Sequence, residues 1–196
     1  MRFRRIGFAP LFLALTVTVS GCGYNDIQTL DEGASKAKQQ IAVQLQRRAD
    51  LIPNLVEVVK GFAKQESDVF TNVAEARAKL GGAVTSGDLG QMAAASQGMN
   101  GALGRLLAIS EAYPTLKSNE NFIRLQDELA GTENRVGVAR TDYNTAVNDY
   151  NTYIRKFPQV MTAKVMGMKA REYFDADKAA ATVPKVDMSQ PAKKAP

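Results

Sequence analysis

Between Asn119 and Phe157 the apolar residues recur at steps of three and four, at Phe122, Leu125, Leu129, Val136, Ala139, Tyr143, Val147, Tyr150, Ile154 and Phe157. This spacing keeps one side of a 3.6-residue helix apolar. At about 1.5 Å per residue the segment spans close to 60 Å, so the protein is expected to be elongated. Ser118 or Asn119 is placed to cap the start and Pro158 to stop the end. The predicted fold is all-α: an elongated antiparallel bundle of three long helices plus a shorter C-terminal helical segment, four-helix-bundle-like.

The preceding chain carries a matching seam at Ile27, Leu30, Ala34, Ala37, Ile41, Leu45, Ile52, Leu55, Val59, Phe62, Val69, Val73, Ala76 and Leu80, with polar Arg48 and Glu66 falling in it. Gly81-Gly82 is a natural helix stop. Pro53 lies inside this run, where proline removes a backbone hydrogen bond and must bend or break a helix. Leu45, Ile52 and Val59 stay seven apart across it, which favours a kinked, continuous helix. Asn54 with Glu57 three residues on offers a fresh cap as the alternative. A second helix is predicted from Thr85 or Ser86, with Asp88 in its first turn, to about Tyr113. Its Gly98, Gly101 and Gly104 mean either a locally irregular helix or close approach of a neighbouring backbone. The fourth segment is predicted to run from after Pro158 through Val160, Ala163, Met166 and Met168 to about Tyr173-Phe174.

MRFRRIGFAPLFLALTVTVSGC opens the chain with a basic stretch, an apolar run from Ile6 to Val19 and small residues before a cysteine, the layout of a secretory signal. Val19-Ser20-Gly21-Cys22 resembles a bacterial lipobox, and Cys22 is the only cysteine. The expected organisation is a lipoprotein signal peptide over 1–21, an acylated Cys22 with a short tether over 22–25, a helical bundle over 26–178 and a disordered tail over 179–196. An uncleaved signal-anchor is the alternative. Gly23 after the cysteine resembles the pattern of lipoproteins sent to the outer membrane of two-membrane bacteria, so the expected location is its periplasmic face. With the signal-anchor it would be the inner membrane.

The 196 residues include neither His nor Trp, which removes the commonest metal ligand and the commonest general acid or base. Without Arg2, Arg4 and Arg5 of the leader, 22 basic residues face 20 acidic ones, so the formal charge of +5 falls to about +2. That is no footprint for nucleic acid. No phosphate loop, CxxC or Ser/Lys dyad is present, and neither a metal site nor a cofactor is expected. Arg47, Arg48 and Asp50, with Glu128, Glu133, Arg135, Arg140 and Asp142, are expected to form ion pairs that set register between neighbouring helices. Tyr143-Asn144 and Tyr150-Asn151 repeat one heptad apart on one face, as Tyr24-Asn25 does nearer the start. Interhelix packing with satisfied hydroxyls is their expected role.

LQRRADLIPNLVEVVKGFAKQE, AYPTLKSNENFIRLQDELAGTENRVGVARTDYNTAVNDYNTYIRKFPQV and the segment ending in REYF, in that order, resemble the LemA family of bacterial envelope proteins over roughly residues 24–175. The resemblance implies an antiparallel bundle with LIPNLVE inside a long first helix. It implies an envelope location more firmly than an activity. The expected function is a membrane-anchored, non-enzymatic scaffold binding unidentified envelope proteins, with self-association as a further expectation. An envelope enzyme or accessory subunit using a carboxylate or tyrosine site is the alternative. Met161, Met166 and Met168 are candidates either for a solvent-facing partner strip or for gap-filling core.

Overall fold

The computed structural model describes residues 23–174. The signal segment, Cys22, the tail and the last four residues of the expected bundle lie outside them. The described secondary structure is helical throughout: α1 (Tyr24–Phe62), α2 (Ser67–Ser86), α3 (Leu89–Ala112), α4 (Pro114–Lys117), α5 (Glu120–Tyr153) and α6 (Gln159–Val165). The all-α bundle is the one the seams imply, with four long helices in place of three.

The extra helix comes from a reversal at residues 63–66. α1 ends one turn short of Glu66, the polar residue in the seam. Ala63 is buried there and Phe62 is left 38% exposed. The apolar residues of α2 thereby fold back onto α1 instead of extending beyond it. Gly81-Gly82 does not stop this helix. Each glycine weakens it by about 1 kcal/mol, but continuing past them buries Ala83. Consequently Thr85 and Ser86 close α2, and Asp88 caps α3 by accepting a hydrogen bond from the Gln91 N–H at 2.7 Å. Asn119 caps α5 in the same way, from Phe122 N–H at 3.1 Å.

α1 and α5 lie antiparallel over their whole length and hold most of the core between them, with Ile41, Leu45, Ile52, Leu55 and Val59 facing Phe122, Leu125, Leu129, Val136 and Val147. The α2–α3 hairpin packs on the half of α1 that ends at Phe62. With 20 residues in α2 against 39 in α1, it spans about 30 Å of roughly 58 Å. The half of the α1–α5 pair nearer Tyr24 is therefore covered by something other than a long helix.

α1 passes through Pro53 unbroken, so Asn54 starts no new helix. Proline has no N–H, which leaves the carbonyl four residues back, that of Ala49, without its helical partner. Arg77 of α2 fills the gap, its Nε donating to Ala49 O at 3.0 Å. Ala49 itself is buried, so the orphaned acceptor would otherwise be costly. The proline thus turns a helix-internal carbonyl into the attachment point for the neighbouring helix.

α3 is a complete helix despite its glycines. A Cβ placed on Gly98, Gly101 or Gly104 would meet nothing within 4 Å, so no backbone approaches closely there. Gly98 and Gly101 instead line an open groove between α2 and α3 with Glu75, Lys79 and Arg105, about 820 Å³ in volume.

Candidate functional site: the Tyr-Asn ladder and the basic end of the bundle

The C-terminal segment departs most from expectation. α6 ends at Val165, and Gly167, at φ 68, turns the chain. Met168 N–H bonds Ala163 O at 2.9 Å and Gly167 N–H bonds Lys164 O at 3.2 Å, the pair of bonds that closes a helix through a left-handed glycine. Residues 168–174 then run as non-helical chain, where the sequence pattern predicts helix.

This strap is held by both Tyr-Asn dipeptides. The Tyr150 hydroxyl donates to Lys169 O at 3.1 Å and the Tyr143 hydroxyl to Glu172 O at 2.8 Å. The Asn151 amide makes a two-point contact with Arg171, donating to its carbonyl at 2.9 Å and accepting from its N–H at 2.8 Å. Asn144 does the same to Phe174, at 3.1 and 2.8 Å. The register follows from element geometry. Seven residues of helix rise about 10.5 Å, and three residues of extended chain cover about 10 Å. Stepping from residue 150 to 143 on α5 therefore matches stepping from 169 to 172 on the strap, and 151 to 144 matches 171 to 174. A heptad repeat of Tyr-Asn is thus a ruler for an extended backbone, which is a more specific role than interhelix packing with satisfied hydroxyls.

Side chains of the strap complete the attachment. Arg171 forms a bidentate ion pair with Asp31 of α1, at 2.7 and 2.9 Å, and its guanidinium lies 5.8 Å from the Tyr150 ring centroid. The hydrogen bond from Arg171 holds the Asp31 carboxyl below its usual pKa, and the same bond raises that of Arg171. Burial raises the pKa of both Tyr143 and Tyr150, keeping them as donors. Phe174 is buried in the main core, with Arg140 stacked 4.8 Å over its ring. Arg140 also donates to the Ser96 hydroxyl of α3 at 2.8 Å, so strap, α5 and hairpin meet at one place.

Of the other charged residues read from the sequence, Arg48 pairs with Glu133 across α1 and α5. Arg48 is buried, and burial lowers its pKa against the opposing pull of Glu133. Asp50 instead accepts from Gln46 one turn back on its own helix. Arg47 with Glu128, and Arg135 with Asp142, line two further open grooves along the bundle.

At the Tyr24 end, Ile27, Tyr150, Ile154 and Ala163 form a second small core, with Leu30, Tyr153 and Met168 packed around it. α1 begins directly after Gly23, whose φ of 98 suits glycine and whose Cβ, if present, would lie 2.9 Å from Gln159 Cγ. The first described residue thus sits against α6, and Tyr153 donates to Asp26 at 2.8 Å beside it. Phe157, assigned to the α5 seam by spacing, is 83% exposed because α5 ends at Tyr153. Pro158 immediately precedes α6 as its cap residue. Met161 and Met166 are exposed, whereas Met168 packs near the Tyr150 hydroxyl. Pro53 and Asn54 are exposed on the hairpin-covered half of α1 and are not brought to the ladder. Cys22 falls just outside the described residues.

The sequence profile of the LemA family matches residues 37–188, most of the chain and all of the ladder and strap. The chain belongs to the LemA family. It is also 30% identical to magnetosome proteins MamQ 1 and MamQ 2 of Paramagnetospirillum magneticum, over 87% of this chain and 75% of theirs. Magnetosome protein MamQ of Magnetospirillum gryphiswaldense is similar to the same extent. The strap falls within the matched residues of this LemA-family sequence. Its REYF segment is part of the resemblance, yet only the structure shows it as extended chain. Gly167 was the one local signal, a glycine where a helix would otherwise continue. Among the described residues, no helix is long and apolar enough to cross a membrane.

Proposed function

We propose that this LemA-family protein is a membrane-anchored component of the bacterial envelope, held through acylated Cys22, and that it works as a non-enzymatic scaffold presenting the long faces of its bundle to other envelope proteins. The observation that carries the reading is the position of Gly23. The residue next to the lipobox cysteine is packed against Gln159 and Tyr153 at one extremity of a long α1–α5 pair, so an anchor at Cys22 would hold the bundle by its end. The long side faces then stay available, among them the groove between α2 and α3. The magnetosome setting in the names of its relatives supports a role tied to an organised bacterial structure.

The test is the intact mass of the protein recovered from bacterial membranes, beside a Cys22→Ser control. Cleavage before Cys22 with added acyl chains is the expected result, absent in the control. Separating inner from outer membranes then tests the expected outer-membrane location. An unmodified chain starting at Met1 contradicts the lipid anchor and assigns attachment to the apolar run from Ile6 to Val19.

A further inference from the structure

The end of the bundle beside Gly23 has an exposed surface that neither the ladder nor the strap uses. From Tyr150 to Arg171 the chain contains no acidic residue. Within that stretch Arg155, Lys156 and Lys164 are exposed and take part in none of the ion pairs among the described residues. Large apolar side chains stand out between them. Phe157 is 83% exposed, Val165 84%, Met161 59% and Met166 51%. On the long helices, Val43, Ile123 and Val138 are exposed as single apolar residues, which is ordinary for a protein surface. The cluster around α6 is different because it combines apolar and basic groups over one short stretch. Asp26, the nearby acid at the start of α1, is engaged by the Tyr153 hydroxyl.

We propose that this end of the bundle is a membrane-docking face, which seats Phe157, Met161, Val165 and Met166 at the level of the acyl chains and sets Arg155, Lys156 and Lys164 against anionic lipid headgroups. The proposal rests on the anchored reading to bring this end to a bilayer, and goes beyond it by assigning the surface that touches the lipid. Two features select lipid as the occupant. Adjacent Cα atoms are about 3.8 Å apart, so a lipid carried by Cys22 enters the bilayer directly beside Gly23, which itself contacts Gln159 at the start of α6. The excess of exposed cations complements the negative potential of anionic phospholipid, to which each Lys or Arg near the surface adds attraction. Apolar side chains flanked by basic ones are also the pattern by which interfacial segments enter the headgroup boundary. Because α1 starts at Tyr24 with almost no slack after the cysteine, such a face fixes the tilt of the bundle.

The chain has no tryptophan, so Phe157→Trp supplies a lone fluorescent reporter at an exposed position, and Val138→Trp on α5 supplies the control. Full-length protein from bacterial membranes is reconstituted into vesicles of brominated phosphatidylcholine with or without phosphatidylglycerol. Emission from the F157W reporter is expected to shift to the blue and be quenched severalfold when phosphatidylglycerol is present, with the V138W control unaffected. Adding Lys156→Gln and Lys164→Gln should weaken docking about 25-fold, roughly fivefold per cation. Unquenched, water-like emission from F157W protein that floats with the vesicles overturns the docking face and leaves the anchor standing. Failure to float overturns the anchor, and quenching on simple mixing with the same vesicles then still decides the face, its absence overturning the proposal. A blue shift that grows with protein concentration in the absence of vesicles overturns it in favour of a second copy of the chain.

Discussion

Asn151 takes the part of a neighbouring strand. Its side-chain amide offers the same donor and acceptor as a peptide group, and it meets both backbone groups of Arg171. Asn151→Ala leaves that N–H and C=O without partners in a partly buried site, which costs about 1–3 kcal/mol. Hydrogen exchange at the Arg171 amide should speed up accordingly, while amides in the middle of α3 stay protected. An unchanged rate would mean the ladder does not hold the strap. The Tyr-Asn repeat itself was legible, since a spacing of seven puts both dipeptides on one helical face. Its partner was not, because the strap owes its shape to side chains some 20 to 30 residues away and not to its own pattern. Arg48 was legible as an exception to an apolar seam, and its charge is paired across the interface with Glu133. Removing one partner of a fully buried pair costs about 3–5 kcal/mol. Glu133 is 38% exposed on its side chain, so water screens the pair and Glu133→Gln should cost nearer ~2 kcal/mol. Replacing both residues by Met should recover most of that loss in denaturant unfolding, since an apolar pair leaves no uncompensated charge.

Among the elements, the coupling between Pro53 and Arg77 gives the first helix its logic. Arg77→Met strips the donor from the Ala49 carbonyl, and the loss should be about 1–3 kcal/mol because the acceptor is left unpaired. In a Pro53→Ala background residue 53 regains an N–H that can bond Ala49 within the helix, so the same Arg77→Met change should cost distinctly less. A double-mutant cycle reads this directly, and additive costs would sever the link between proline and arginine. Periodicity on both sides of Pro53 carried the continuity of α1, because seven-residue spacing survives a proline that does not reset the helix. The reversal at residues 63–66 escaped it for the same reason. The seam keeps its phase from Val59 to Val73 across the reversal, so phase alone does not separate one long helix from two antiparallel ones. Gly81-Gly82 misled in the opposite direction, since a glycine pair is tolerated where tertiary burial of Ala83 lies beyond it.

For the whole molecule, two halves differ in construction. The half that includes the hairpin is a bundle of long helices. The half nearest Gly23 is an α1–α5 pair closed by a strap and the short α6. Length and helical character were legible because both follow from the seams. That Gly23 and α6 share one end was not, since it depends on chain reversals. An anchor at that end would have a geometric consequence: the protein would stand on a membrane by its Gly23 end, with the α4 end furthest away. Resonance energy transfer from headgroup-labelled vesicles to a fluorophore on Thr152→Cys, near the end of α5, or on Thr115→Cys in α4 measures it, with the unsubstituted protein taken through the same labelling as the blank for Cys22. Strong transfer is expected at residue 152 and weak transfer at 115, with heights differing by about 50 Å as the length of α5 requires. Equal heights for the two positions would contradict an end-on anchor.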